Sequence, residues 1–132
     1  MALVIDLKPN EKILIGTAVI TNDDQRTRLH IAGDAAILRE KDVMKEAEAS
    51  TPCKRIYFLV QCMYLSEEPA EYHSKYFDMI REIQEAAPST TAYFLNINEC
   101  IINGSYYRAL KEAKKLIAYE EELLTNARQV NE

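Results

Sequence analysis

Arg39 and Lys41 stand two residues apart in Ile37-Leu38-Arg39-Glu40-Lys41-Asp42, and Arg26 and Arg28 do the same in Arg26-Thr27-Arg28-Leu29-His30-Ile31. In a β-strand, residues two apart share a face, so each pair would turn two cations toward one ligand. The arginine guanidinium is a planar fork of N–H donors that fits phosphate oxygens and the guanine edge. The chemistry on offer is recognition of a polyanion. The bland alternative is a solvated edge strand whose charges prevent aggregation. Spacing alone favours that alternative.

Residue types that carry catalysis are sparse. His30 and His73 are the two histidines, and neither lies in a recognisable motif. No metalloprotease, hydrolase-elbow or phosphate-loop pattern occurs, and three isolated glycines cannot cradle a phosphate. The carboxylates are scattered along helical stretches, and Glu120-Glu121-Glu122 reads as an exposed patch. Cys53, Cys62 and Cys100 are odd in number and widely spaced, which points to reduced thiols packed as small apolar residues in a cytosolic protein. The chain therefore reads as a non-enzyme that needs no metal and no cofactor.

Charge works against nucleic acid as a partner. The net charge is −5, where most such domains are basic. Residues 1–42 hold six Lys/Arg and seven Asp/Glu, and residues 43–132 hold ten and fourteen, so the acidity lies mostly in the second part. Apolar residues make up 48%, enough for a core. The start, MALVIDLKPNEK, lacks the basic flank of a signal peptide, and no apolar run is long enough to span a membrane.

Two kinds of element must position these residues. Residues 1–42 read as short strands: Leu3–Leu7, a Lys8-Pro9-Asn10-Glu11 turn, Lys12–Ile15, a bend at Gly16, Thr17–Thr21, a polar hairpin loop Asn22–Gln25, Arg26–Ile31, a turn Ala32-Gly33-Asp34, and a last strand Ala35–Lys41. This stretch holds no Phe, Tyr or Trp; all eight Tyr and all three Phe lie from Tyr57 onward. An aliphatic sheet this small needs apolar area from elsewhere, in its own helices or in a second copy.

Residues 43–132 read as helices. A short one runs from an Asp42 cap through Ala49. Thr51-Pro52 is a cap followed by proline at the first helical position. Pro69 opens the next, with Tyr72, Tyr76, Ile80 and Ile83 as its apolar stripe. Ser89 caps a third with Tyr93, Phe94, Ile97 and Ile101. Asn103-Gly104 stops it, and Ser105 starts the last, whose stripe is Leu110, Ala113, Ile117 and Leu124. The expected architecture is α+β: a small β-module over residues 1–42 and an α-helical region over residues 43–132.

Two resemblances bear on function. Ile5-Asp6-Leu7-Lys8-Pro9-Asn10-Glu11, Ile37-Leu38-Arg39-Glu40-Lys41-Asp42 and Thr51-Pro52 with Arg55-Ile56-Tyr57-Phe58 resemble the flagellum-synthesis repressor family FlbT along nearly the whole chain. The resemblance implies a cytoplasmic bacterial regulator that acts after transcription on the 5′ untranslated region of flagellin mRNA. Residues 3–42 are also similar to CsrA-type RNA-binding proteins, through Glu11-Lys12-Ile13-Leu14-Ile15-Gly16, Arg28-Leu29-His30-Ile31-Ala32 and Leu38-Arg39-Glu40. That likeness implies an intertwined homodimer in which the first strand of one chain pairs with the last strand of the other. It makes Arg39 the first candidate for RNA contact, followed by Lys41, Arg28, Arg26 and Lys8. Where CsrA-type proteins end the first strand on a basic pair, this chain has Asp6-Leu7-Lys8. The competing expectation is a protein-binding module or chaperone for flagellin or another flagellar partner, using Tyr64, Tyr72 and Tyr76.

Overall fold

The structure, a computed structural model, describes residues 2–131, with side-chain surroundings for residues 3–128. It is α+β. The chain divides into two compact units, Met1–Val43 and Met44–Glu132.

The first unit holds β1 (Ala2–Leu7), β2 (Lys12–Ile15), β3 (Ala18–Thr21), β4 (Thr27–Ala32) and β5 (Ile37–Arg39). Pairing is antiparallel throughout. β1 pairs with β4, and β2 lies between β3 and β5. A two-residue turn joins β2 to β3, and Gly16 at its first position has φ +61°, a conformation that suits glycine. Alternation along the strands buries Ile5, Leu7 and Ile13, and Ile15, Leu29, Ile31 and Ile37 pack against them. The core of this unit is aliphatic, as its composition demands.

Three local expectations change here. Asn22–Gln25 does not close a hairpin, because β3 and β4 belong to different sheets. The Asn22 side-chain amide donates to the carbonyls of Leu7, Lys8 and Gln25, which fixes the crossover. The last strand stops at Arg39, and Glu40–Asp42 forms a 3-10 turn. Arg39 sits opposite Ile13, so Lys12 would come next in the ladder. Its N–H instead donates to the Glu40 carboxylate at 3.1 Å, and Val43 N–H closes the turn on the Glu40 carbonyl at 3.2 Å. The helix expected up to Ala49 is reduced to a second 3-10 turn, Glu46–Glu48.

The second unit holds α1 (Pro52–Leu65), α2 (His73–Ala86), α3 (Thr91–Ile102) and α4 (Tyr106–Asn131). Thr51 caps α1, its hydroxyl accepting from Lys54 N–H, with Pro52 in the first turn. Single 3-10 turns at Pro69–Tyr72 and Pro88–Thr90 lead into α2 and α3. α1 and α3 both pack on α4, and α2 packs on α1. Tyr76, Ile80 and Ile83 of the α2 stripe are buried, while Tyr72 is half-buried. The α4 stripe buries Leu110 and Ala113, half-buries Ile117, and leaves Leu124 exposed. The Gln61 amide is buried and clamps Met44, accepting its N–H and donating to its carbonyl. Among the described residues, no helix is long and apolar enough to cross a membrane.

Candidate nucleic-acid interface

Asp6 organises the cationic side of the β-unit. In the β1–β4 ladder it lies opposite Arg28, and its carboxylate receives the Arg28 Nε–H at 3.2 Å. Its backbone carbonyl accepts from Arg39 Nη1 at 3.3 Å. The same Nη1 lies 3.7 Å from the Glu11 carboxylate. Arg28 and Arg39, far apart in sequence and on different sheets, are thus tied to one residue at the end of β1.

The two arginines differ in exposure. The Arg28 side chain is 66% exposed and its partner 54%, so their ion pair contributes little to stability. The Arg39 side chain is 34% exposed and Glu11 18%, so this pair is partly shielded from water. Leu38 beside it is buried, which turns Ile37 and Arg39 to the other face of β5. Both contacts of Arg39 described above use Nη1, one arm of the fork.

The remaining candidates are arranged less tightly than their spacing suggests. Lys41 lies in the 3-10 turn and so does not share a strand face with Arg39. Arg26 lies before the start of β4 and so does not share one with Arg28. Lys8 is exposed in the turn after β1, where its N–H donates to the Glu11 carboxylate at 2.9 Å. Asp6 and Glu11 place two carboxylates against two guanidiniums. A surface balanced in this way attracts polyanions weakly at long range and selects by short-range geometry. Sequence reading missed the parts played by Asp6 and Glu11, because they depend on strand register.

A second feature lies wholly within the helical unit. A cavity of about 450 Å³ is lined by Thr51, Pro52, Met79, Ile83, Glu120 and Leu123, among others. Glu120 is not part of an exposed acidic patch. Its carboxylate accepts from the Thr51 hydroxyl and, at 3.1 Å, from Cys53 N–H, satisfying the start of α1. Tyr76 is buried and donates its hydroxyl to Asn98 Oδ1 at 2.7 Å, so it offers no surface to a partner. Among the described residues, no cluster of His, Cys, Asp or Glu could hold a metal ion.

Burial, and then the charge and hydrogen bond of Glu120, push the Cys53 thiol from 9.0 up to about 12. Burial also raises Tyr76 above its ordinary value of 10.0. Both groups favour their neutral forms when folded. The Cys53 contribution to stability is full below pH 9 and is lost as the pH climbs through its folded value near 12. The urea midpoint followed by helical circular dichroism should therefore fall as the solution is taken from neutral into this alkaline window. A flat profile would contradict the buried, neutral Cys53.

Comparison with known proteins places the chain. The family described as Flagellar protein FlbT matches residues 3–124. A relative from Bradyrhizobium diazoefficiens, named probable flagellum biosynthesis repressor protein FlbT 1, is 51% identical over 93% of this chain and 85% of its own. One from Rhodopseudomonas palustris, named probable flagellum biosynthesis repressor protein FlbT, is 47% identical over 95% of this chain and 99% of its own. The flagellum biosynthesis repressor protein FlbT of Caulobacter vibrioides is 36% identical over 94% of this chain and 90% of its own. No solved structure matches. Identity of this order along almost the whole length, joined to the family match, shows that the chain belongs to the FlbT family of flagellar proteins.

Proposed function

We propose that this protein regulates flagellum synthesis after transcription, as a cytoplasmic homodimer that binds the 5′ untranslated region of flagellin mRNA through its β-unit. It performs no catalysis. The regulatory role is supported by relatives named flagellum biosynthesis repressors. The RNA reading rests on one observation above the others. Arg39 ends the last strand half-exposed, oriented through Nη1 by Asp6 and Glu11. A guanidinium held in this way loses less side-chain freedom when it grips a base edge or phosphate. Arg28 stands on the same Asp6, and Lys41, Arg26 and Lys8 supply looser charge.

The test is a titration of flagellin leader RNA, with a scrambled control, at two salt concentrations. Arg39→Ala should weaken leader binding by about 1–3 kcal/mol and the scrambled RNA much less. Arg39→Lys keeps the charge but loses the fork, and should behave nearly like Arg39→Ala. Lys41→Ala should weaken both RNAs alike and flatten the salt dependence by about one unit. Equal binding of leader and scrambled RNA, or full leader affinity in a folded Arg39→Ala variant, would sink the RNA reading.

One observation favours a second reading, a protein-binding module acting on flagellin or another flagellar partner. The cavity beside Glu120 is walled by Pro52, Met79, Ile83, Leu123 and Leu124, an apolar site of ordinary ligand-pocket size. Of the tyrosines considered for this role, half-buried Tyr72 lines a neighbouring cavity of about 390 Å³ and Tyr64 is half-buried. Purified flagellin titrated in parallel with the RNA separates the two readings.

A further inference from the structure

The first ten residues of α4, 106–115, carry Arg108, Lys111, Lys114 and Lys115 against a single carboxylate, Glu112. In a chain of net charge −5, this is its most basic ten-residue stretch. A helix turns about 100° per residue, so Tyr107, Arg108, Lys111, Lys114 and Lys115 fall within about a third of its circumference. All five are exposed, while Ala109, Leu110, Ala113 and Leu116 on the other side are buried. The positive end of the helix dipole lies in the same first turn.

An aromatic surface accompanies the charge. Tyr107 is 42% exposed. Lys111 Nζ lies 5.2 Å from its centroid, and the Tyr64 ring lies 5.7 Å away at 41°. Some of the charge is spoken for: Lys115 pairs with Glu112 at 3.1 Å, and Arg108 shares a small polar pocket with Glu99 and Glu112. Beyond Lys115 the same face turns acidic at Glu121 and Glu122, so the cationic strip ends after about 15 Å.

We propose that this strip is a second nucleic-acid contact, one that takes single-stranded RNA with a base against Tyr107 and phosphates along Arg108, Lys111 and Lys115. Tyr107 packs partly against Tyr64 of α1, and what remains exposed adds a π-face to the charged strip. A structured anion without flat rings would use the lysines alone. A flexible strand offers both a π-face and a regular charge, and stacking on an aromatic tolerates any base. The inference deepens the RNA reading above and rests on it, but it uses different residues.

The test titrates the full chain with a short fluorescent oligouridylate and, separately, with inorganic polyphosphate. Tyr107→Ala should weaken oligouridylate binding by about five- to a hundredfold, the range of one lost base stack, while Tyr107→Phe retains it. Lys111→Gln should weaken both probes and reduce the salt slope for oligouridylate by about 0.7. Polyphosphate binding should not respond to Tyr107→Ala. Circular dichroism checks that these exposed variants stay folded. Undetectable oligouridylate binding, unchanged binding in Tyr107→Ala, or polyphosphate bound as tightly as oligouridylate would overturn the inference. The two RNA sites fail separately. Oligouridylate binding that depends on Tyr107 and ignores Arg39→Ala, with no leader preference, removes the Arg39 site alone. Leader preference that depends on Arg39 and ignores Tyr107→Ala removes this one.

Discussion

Replacing Phe94 with alanine will destabilise the helical unit by about 3–5 kcal/mol. Phe94 is wholly buried on α3, in a row with buried Ile97 and Ile101. Its helix packs on α4, whose residues Ala109, Leu110, Ala113 and Leu116 are also fully enclosed. Removing the ring loses its transfer free energy and leaves a cavity that rigid helices cannot close. Against a total stability of roughly 5–15 kcal/mol, this is a large fraction. Ile80→Ala on α2, 4% exposed, should cost about 2–5 kcal/mol for the same reason. Leu95→Ala is the control, because Leu95 is 64% exposed and should change stability by less than about 0.5 kcal/mol. Urea unfolding followed at a helical wavelength measures all three. A near-zero change for Phe94→Ala would mean that α3 does not pack as described.

Helix boundaries were the legible part of the sequence, because their signals are local. Thr51-Pro52 and Asn103-Gly104 act through one or two residues, and the structure starts α1 and stops α3 there. The apolar stripe of α2 was legible for a similar reason: a helical period fixes which residues share a face, and Tyr76, Ile80 and Ile83 are buried. The exception is informative. Tyr76 was a candidate partner surface, yet its ring is enclosed and its hydroxyl goes to Asn98, twenty-two residues away.

The candidate site was much less legible, because non-local pairing decides it. Nothing near Arg39 in sequence reveals that Asp6 supplies its carbonyl, or that Asp6 also faces Arg28. The strand ends at Arg39 because the Glu40 side chain takes the N–H of Lys12, twenty-eight residues earlier. That one hydrogen bond removes Lys41 from the face it was expected to share. Glu120 was misread in the same way: beside Glu121 and Glu122 it looks like one more solvated acid, and a contact across sixty-seven residues makes it a cap for α1. In each case a polar side chain satisfies a backbone group at the end of an element, and the partner's identity is set by the fold.

A chain lacking residues 1–8 will sediment as a monomer at a concentration where the full chain is a dimer. The reason lies in the sheet edges. Among the described residues, β1 pairs with β4 on one side and β5 pairs with β2 on one side, so each ends its sheet. A strand at the end of a sheet is a template for another strand. Pairing β1 of one copy with β5 of a second would join a two-stranded sheet to a three-stranded one, and two-fold symmetry makes that junction twice. Apolar surface points the same way: Leu3, Val4, Val19 and Ile20 are 46%, 53%, 62% and 39% exposed in this small unit. The truncation also removes core residues Ile5 and Leu7, so unfolding could imitate dissociation. Val4→Glu separates the two effects. Its side chain is outside the core, and a charge there should block the edge while circular dichroism stays native. A folded, monomeric Val4→Glu supports the swapped-edge dimer, whereas a monomeric wild type at micromolar concentration ends the idea. Such a dimer would also double Arg39. Two linked sites on one RNA gain roughly 10²–10⁴ in avidity over one. Val4→Glu, which leaves Arg39 itself unchanged, should therefore lose leader affinity, and an unchanged affinity would mean that each β-unit binds RNA alone.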